Sequence, residues 1–201
     1  HMLAAACGKN GGPAELKLWD TATAALLAAH DPRSKSLLRS VAFTSDGRTV
    51  MYGIFDRIGR LDIVSGTLLS PLPGTAHVVM SPDGRTVALG KRTRREGVPF
   101  DVLDEVVLWD LPDGRPKARL RGHTVEIYQV VFSPDGKTVA TAAWDGMVKL
   151  WHVATGEELL TFRRQAGVVW SVAFAPDGHH MAVAAGTLGV RELTLWDARS
   201  P

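Results

Sequence analysis

The sequence has 201 residues, 45% hydrophobic and 22% charged, a globular balance that excludes a wholly disordered chain. Its 23 basic and 21 acidic residues leave a net charge of +2, too small for a broad electrostatic footprint on nucleic acid or membrane, and neither is an expected partner. One cysteine, Cys7, excludes an internal disulfide and makes the cytoplasm the expected setting; no apolar run is long enough to span a bilayer.

His1-Met2 reads as an expression scar, so the numbering is expected to begin at a chosen cut. Met2–Ala6 then predicts a strand, Gly8-Lys-Asn-Gly-Gly12 a turn, and Leu16–Asp20 a second strand ending in Leu18-Trp19-Asp20. From there the chain repeats itself. Val41-Ala-Phe-Thr-Ser-Asp-Gly-Arg-Thr-Val50 aligns with Val78-Val-Met-Ser-Pro-Asp-Gly-Arg-Thr-Val87, Val130-Val-Phe-Ser-Pro-Asp-Gly-Lys-Thr-Val139 and Val172-Ala-Phe-Ala-Pro-Asp-Gly-His-His-Met181. A second mark follows each segment: Arg60-Leu61-Asp62, Leu108-Trp109-Asp110, Leu150-Trp151-His152 and Leu195-Trp196-Asp197. The marks recur at roughly 45-residue intervals, a period of repeated four-stranded units.

The best unit shows why each should be four short strands. Alternation over Tyr128–Phe132 predicts Tyr128, Val130 and Phe132 on one face. Ser133-Pro134-Asp135-Gly136 makes a tight turn, with proline setting φ and glycine tolerating the left-handed conformation. Thr138–Ala143, Met147–His152 and Glu158–Phe162 are the next three strands, separated by Asp145-Gly146 and Ala154-Thr155-Gly156. Small residues such as Ala140-Thr-Ala-Ala143 suit a strand crowded on both faces.

These units resemble WD40 repeats of the bacterial type with a Ser-Pro-Asp-Gly turn. The resemblance implies an all-β WD40 β-propeller of about five blades. The blades are four-stranded antiparallel sheets, incomplete in the first and the last. The units fall at about 2–30, 37–72, 76–121, 125–163 and 168–198 of one domain over 1–201. It also implies a hydrogen-bonded set of histidine, serine or threonine, aspartate and tryptophan within a blade. One unit carries all four, as His123, Thr141 or a neighbour, Asp145 and Trp151. Elsewhere Leu61 replaces tryptophan, Gln165 falls near the expected histidine of the last unit and Val190 near its aspartate, so those blades should rely on packing.

No catalytic set is expected. Asp46, Asp83, Asp135 and Asp177 recur beside glycine, and a turn role accounts for them. His179-His180 lies in the equivalent turn without cysteine or acidic partners at zinc-like spacing, so no metal site is expected. Cys7 has no nucleophile motif around it. No phosphate loop or nucleophile elbow is present, and no cofactor is expected.

Binding offers more. Lys91–Glu105 lengthens one turn and begins Lys91-Arg92-Thr93-Arg94-Arg95; Arg92, Arg94 and Arg95 are candidates for docking an acidic peptide or phosphate, or form a solvated hairpin. Tyr128 and Trp170 share one repeat register with Arg39, and Trp144 precedes Asp145 at a blade turn. Exposed, these four are binding anchors; buried, they pack blade on blade. The resemblance therefore implies a non-enzymatic scaffold for a protein or peptide partner. The alternatives are a propeller hydrolase with acids at a channel mouth and an assembly-study fragment without standalone function. The first unit has no inner-strand counterpart and the last stops after its tryptophan strand. The expectation is a piece of a larger propeller that self-associates through exposed sheet edges and faces.

Overall fold

The structure is a computed structural model that describes residues 2–8, 14–32, 38, 40–54, 57–74, 77–93, 102–111, 114–163, 167–187 and 189–197. Among them the chain forms strands joined by turns, with no helix. The strands form five antiparallel sheets. The first holds β1 (Met2–Gly8), β2 (Ala14–Asp20) and β3 (Leu26–His30). The second holds β4 (Ser40–Phe43), β5 (Thr49–Gly53), β6 (Ile58–Asp62) and β7 (Leu68–Leu72). The third holds β8 (Val78–Met80), β9 (Thr86–Thr93), β10 (Val102–Asp110) and β11 (Arg115–Arg121). The fourth holds β12 (Ile127–Phe132), β13 (Thr138–Ala143), β14 (Met147–His152) and β15 (Glu158–Arg163). The fifth holds β16 (Val168–Phe174), β17 (His180–Thr187) and β18 (Val190–Asp197). Each sheet is a meander in sequence order.

This is the expected pattern of four-stranded blades with a three-stranded sheet at each end. Trp19, Leu61, Trp109, Trp151 and Trp196 all lie on equivalent strands, β2, β6, β10, β14 and β18. The chain divides into two compact units, His1–Met80 and Ser81–Pro201.

Each unit has its own apolar core. In the first, Leu16 and Leu18 of β2 pack with Val50, Tyr52 and Ile54 and with Leu61 of β6. In the second, Ala140, Ala142 and Val148 of the fourth sheet meet Val169, Val172, Met181, Val183 and Ala185 of the fifth. The alanines let two sheets approach closely with both faces buried. One polar bond crosses between sheets at the same repeat position in each unit. The Val78 N–H donates to Ser40 Oγ at 2.9 Å, and the Val172 N–H donates to Gln129 Oε1 at 2.8 Å.

The recurring aspartates are turn residues. Asp46, Asp83 and Asp135 each accept from the hydroxyl two residues before (Thr44, Ser81, Ser133) at 2.6 Å. Each also accepts the N–H two residues after, at 2.9–3.0 Å. The glycine that follows each has φ between +66° and +70°, where a Cβ would be strained. In the last turn Ala175 supplies no hydroxyl. Asp177 there takes the N–H groups of His179 and His180, and His180 Nδ1 at 2.6 Å. His180 Nε2 also lies 3.5 Å from Asp197.

Candidate functional site

The β13–β14 hairpin and the loop entering β12 bring four side chains into one chain of bonds. Trp151 Nε1 donates to Thr141 Oγ1 at 2.8 Å. His123 Nε2 lies 2.7 Å from the same oxygen, and His123 Nδ1 lies 2.9 Å from Asp145 Oδ2. The carboxylate can only accept, so Nδ1 carries the imidazole proton and Nε2 takes the threonine hydroxyl's. Asp145 also accepts the N–H groups of Thr124 and Met147, at 3.1 and 3.0 Å. Burial pushes the Asp145 carboxyl up, but the His123 bond and the two backbone N–H bonds outweigh it and hold the carboxyl below its ordinary range. The set ties the blade's second and third strands to the loop before its first. Every member is committed to another, so the arrangement is structural.

The other blades show what happens without the full set. In the strand register Trp151 faces Val139, and Thr141 lies two residues on. The same count places Leu89 in the third sheet, where Trp109 faces Val87, and Val183 in the fifth, where Trp196 faces Met181. Both replacements are apolar, and both buried indole Nε1 atoms, of Trp109 and Trp196, find no hydrogen-bond partner. In the second sheet Leu61 replaces tryptophan and Tyr52 takes the threonine position, so no indole is stranded. A missing acceptor is a local defect that one hydroxyl corrects. Val183→Thr is expected to cost less than about 0.5 kcal/mol in chemical denaturation, because the new hydroxyl meets a waiting donor. Val148→Thr, in the same core without such a donor, is expected to cost about 1–3 kcal/mol. Equal losses would refute the assignment.

A second cluster lies on the surface. Tyr128, Trp144 and Trp170 are 46%, 50% and 44% exposed, yet they pack on one another. Tyr128 stacks with Trp144 at 6.5 Å between centroids, and Trp170 meets Tyr128 edge-on at 5.4 Å and Trp144 at 6.3 Å. Such contacts hold aromatic rings at little entropy cost. The backbone explains the exposure, and it corrects the expected alternation. Ile127 pairs with Ala143 but Gln129 pairs with Ala142, so Tyr128 is the extra residue of a β-bulge. Trp170 is the extra residue of the matching bulge in β16, between Val169 and Ser171. A bulge breaks the two-residue period and re-aims a side chain. Ile127 and Val130, three apart, are therefore both buried, as are Val169 and Val172, while Tyr128 and Trp170 turn outward. Tyr128 does not share a face with Val130. Trp144 follows β13, its N–H bonded to the Glu126 carbonyl at 3.0 Å.

The remaining candidates fall elsewhere. Arg92 lies in β9, and its Nη2 donates to Glu126 Oε1 at 2.8 Å, while Glu126 Oε2 accepts the Leu103 N–H at 2.9 Å. Arg39, Arg94, Arg95 and Gln165 lie outside the described residues, as does the side chain of Cys7. The sequence reading missed Gln129, Glu126 and Glu105, which gather partners from neighbouring strands. An acidic residue within the apolar run Val102–Trp109 was the available signal for Glu105.

Repeated meander sheets and the His123–Thr141–Asp145–Trp151 network have the form of WD40 β-propeller blades. The family model "WD domain, G-beta repeat" matches residues 114–152 and 156–188. Among relatives, Coronin-7 of Rattus norvegicus is 33% identical over 91 residues, 40% of this chain and 10% of that protein. Ribosome assembly protein 4 of Chaetomium thermophilum is 47% identical over 45 residues, 21% of this chain and 9% of that protein. The aligned stretch is thus about a tenth of the length of these relatives. In fold, a chain from a crystal structure of the mitotic checkpoint complex superposes with a TM-score of 0.79 at 18% identity, covering 98% of this chain and 57% of that one.

Proposed function

We propose that this chain is a non-enzymatic scaffold that anchors a protein or peptide partner on Tyr128, Trp144 and Trp170, working in the cytoplasm. The observation that carries the reading is three mutually packed aromatic rings held half-exposed, two of them by equivalent bulges. Packed aromatics of this kind are typical centres of binding energy. The recurring aspartates are engaged otherwise: Asp46, Asp83 and Asp135 in turns, Asp145 in the buried network. One relative, Ribosome assembly protein 4, bears a name that speaks of assembly, which supports the reading.

The test is Trp144→Ala and Trp170→Ala. Proteins captured by the parent chain from a lysate of its source are identified, purified and titrated against both variants. Each substitution is expected to weaken binding by about 2 kcal/mol or more, roughly thirtyfold, with an unchanged far-ultraviolet dichroism spectrum. Unaltered affinity in both variants rejects the assignment.

The reading extends to self-association. Leu193 and Leu195 of β18 are 71% and 73% exposed on one face of the fifth sheet, and Leu3 of β1 is 55% exposed on the first. Apolar sheet faces of this kind favour contact with a second copy. Light scattering is expected to show a mass above that of one chain at high micromolar concentration; a persistent single-chain mass rejects it.

A further inference from the structure

One carboxylate in the third sheet has more cations than it can neutralise. Glu105 of β10 is almost wholly buried, its side chain 3% exposed. In register it stands between Lys91 of β9 and Arg121 of β11, a single rung across three strands. Arg119 lies two residues back along β11 and shares the face of Arg121. Arg119 Nη1 donates to Glu105 Oε1 at 2.7 Å, and Arg121 Nη2 reaches the same oxygen at 3.3 Å and Oε2 at 3.4 Å. Lys91 Nζ lies 3.9 Å from Oε2. In the fourth sheet, by contrast, Lys149 pairs with Glu158. Among the described residues, three cations face one anion here.

Those cations are also presented. The side chains of Lys91, Arg119 and Arg121 are 45%, 47% and 66% exposed. Each guanidinium has five N–H donors and spends one or two on Glu105. Both arginines are bonded to one oxygen, so their free donors lie within reach of one small ligand. A buried anion thus fixes two arginine forks before any ligand arrives, which lowers the entropy cost of binding.

We propose that Lys91, Arg119 and Arg121 form a docking site for a phosphorylated serine or threonine of a protein partner, separate from the aromatic surface. Three cations over one carboxylate leave an excess of two positive charges, and a phosphomonoester carries about −1.5 to −2 at neutral pH. Its three terminal oxygens suit two arginine forks and a lysine point charge. A single carboxylate supplies half the charge and two oxygens. Pro116 lacks an N–H to offer along β11, which disfavours strand addition there.

The test uses the intact chain and a phosphoserine peptide library with randomised flanks. Retained peptides are titrated alongside the same sequences carrying serine or glutamate, and alongside inorganic phosphate. The phosphorylated peptides are expected to bind at least tenfold tighter than either counterpart and than phosphate itself. Arg119→Gln and Arg121→Gln are expected to weaken that binding at least tenfold, and Lys91→Gln about threefold, with the melting temperature monitored for each. Trp170→Ala is expected to leave it unchanged, which separates this site from the aromatic one. The proposal is overturned if no library member is retained, if glutamate serves as well as phosphoserine, or if phosphate alone binds as tightly. It is equally overturned if Arg119→Gln and Arg121→Gln leave the affinity intact.

Discussion

Asp145→Ala is expected to lower the stability of the chain by about 2–3 kcal/mol, on the order of 4–12 °C in melting temperature. The substitution strands three donors at once. The imidazole proton of His123 loses its acceptor, and so do the N–H groups of Thr124 and Met147. His123 is buried and cannot turn to water for a replacement. Thr141→Val tests the same chain from its middle: the shape is kept, but Trp151 Nε1 loses its acceptor and His123 Nε2 its donor. Glu157→Ala is the control. Its carboxylate accepts from Thr155 at an exposed turn, and its loss should stay within about 0.5 kcal/mol. Thermal unfolding of the three variants under one buffer decides the matter. If Asp145→Ala and Glu157→Ala shift the transition equally, the network does not support the blade.

A progressive loss of stability in acid is the second expected effect. The turn carboxylates of Asp46, Asp83 and Asp135 are held below their ordinary range by bonds from a neighbouring hydroxyl and a backbone N–H. Asp20 and Asp62 are lowered by N–H bonds at the ends of their strands. Asp177 is lowered chiefly by the His179 N–H and by His180. Glu105 is pushed up by burial but lowered more by Arg119 and Arg121. A group whose folded pKa is depressed contributes stability above its unfolded pKa, and that contribution disappears as the pH falls through the folded value. All these groups act with one sign, so the melting temperature should be nearly flat above about pH 5 and fall progressively below about pH 4. Asp145 adds to the same window, because its carboxylate form accepts all three bonds. Ser133→Ala removes the 2.6 Å hydroxyl bond to Asp135 and should reduce the acid slope while retaining the fold. A melting temperature that rises on acidification contradicts the assignment of these turns.

The strand count, the turns and the blade equivalences were legible because each signal occurs several times. Five marks from Trp19 to Trp196 fix the third strands, and four aspartate–glycine turns fix the hairpins before them. The members of the polar network were legible as residue types at a spacing, although Thr141 was separated from its neighbours only by geometry. Two kinds of feature escaped. The bulges at Tyr128 and Trp170 shift register by one residue, and nothing in an apolar–polar alternation marks where pairing is skipped. The Glu105 cluster joins residues from three strands whose alignment depends on the hairpin register. Arg92 shows the same limit: it belongs to an arginine-rich stretch, but its strand position delivers it to Glu126.

The two bulges also separate what a position must do from what it is free to become. Residues 128 and 170 have no partner in the strand register, and the core contacts are made by Ile127 and Val130 and by Val169 and Val172. A change at either position leaves the ladder and the packed interior untouched. Substitutions there are expected to trade one recognition chemistry for another with little change in folding free energy, whereas the adjacent Ile127 and Val169 tolerate only shape-conserving replacements. Copying such a unit copies a scaffold together with one unconstrained display site, so an array of repeats can diversify what it greets without renegotiating how it folds.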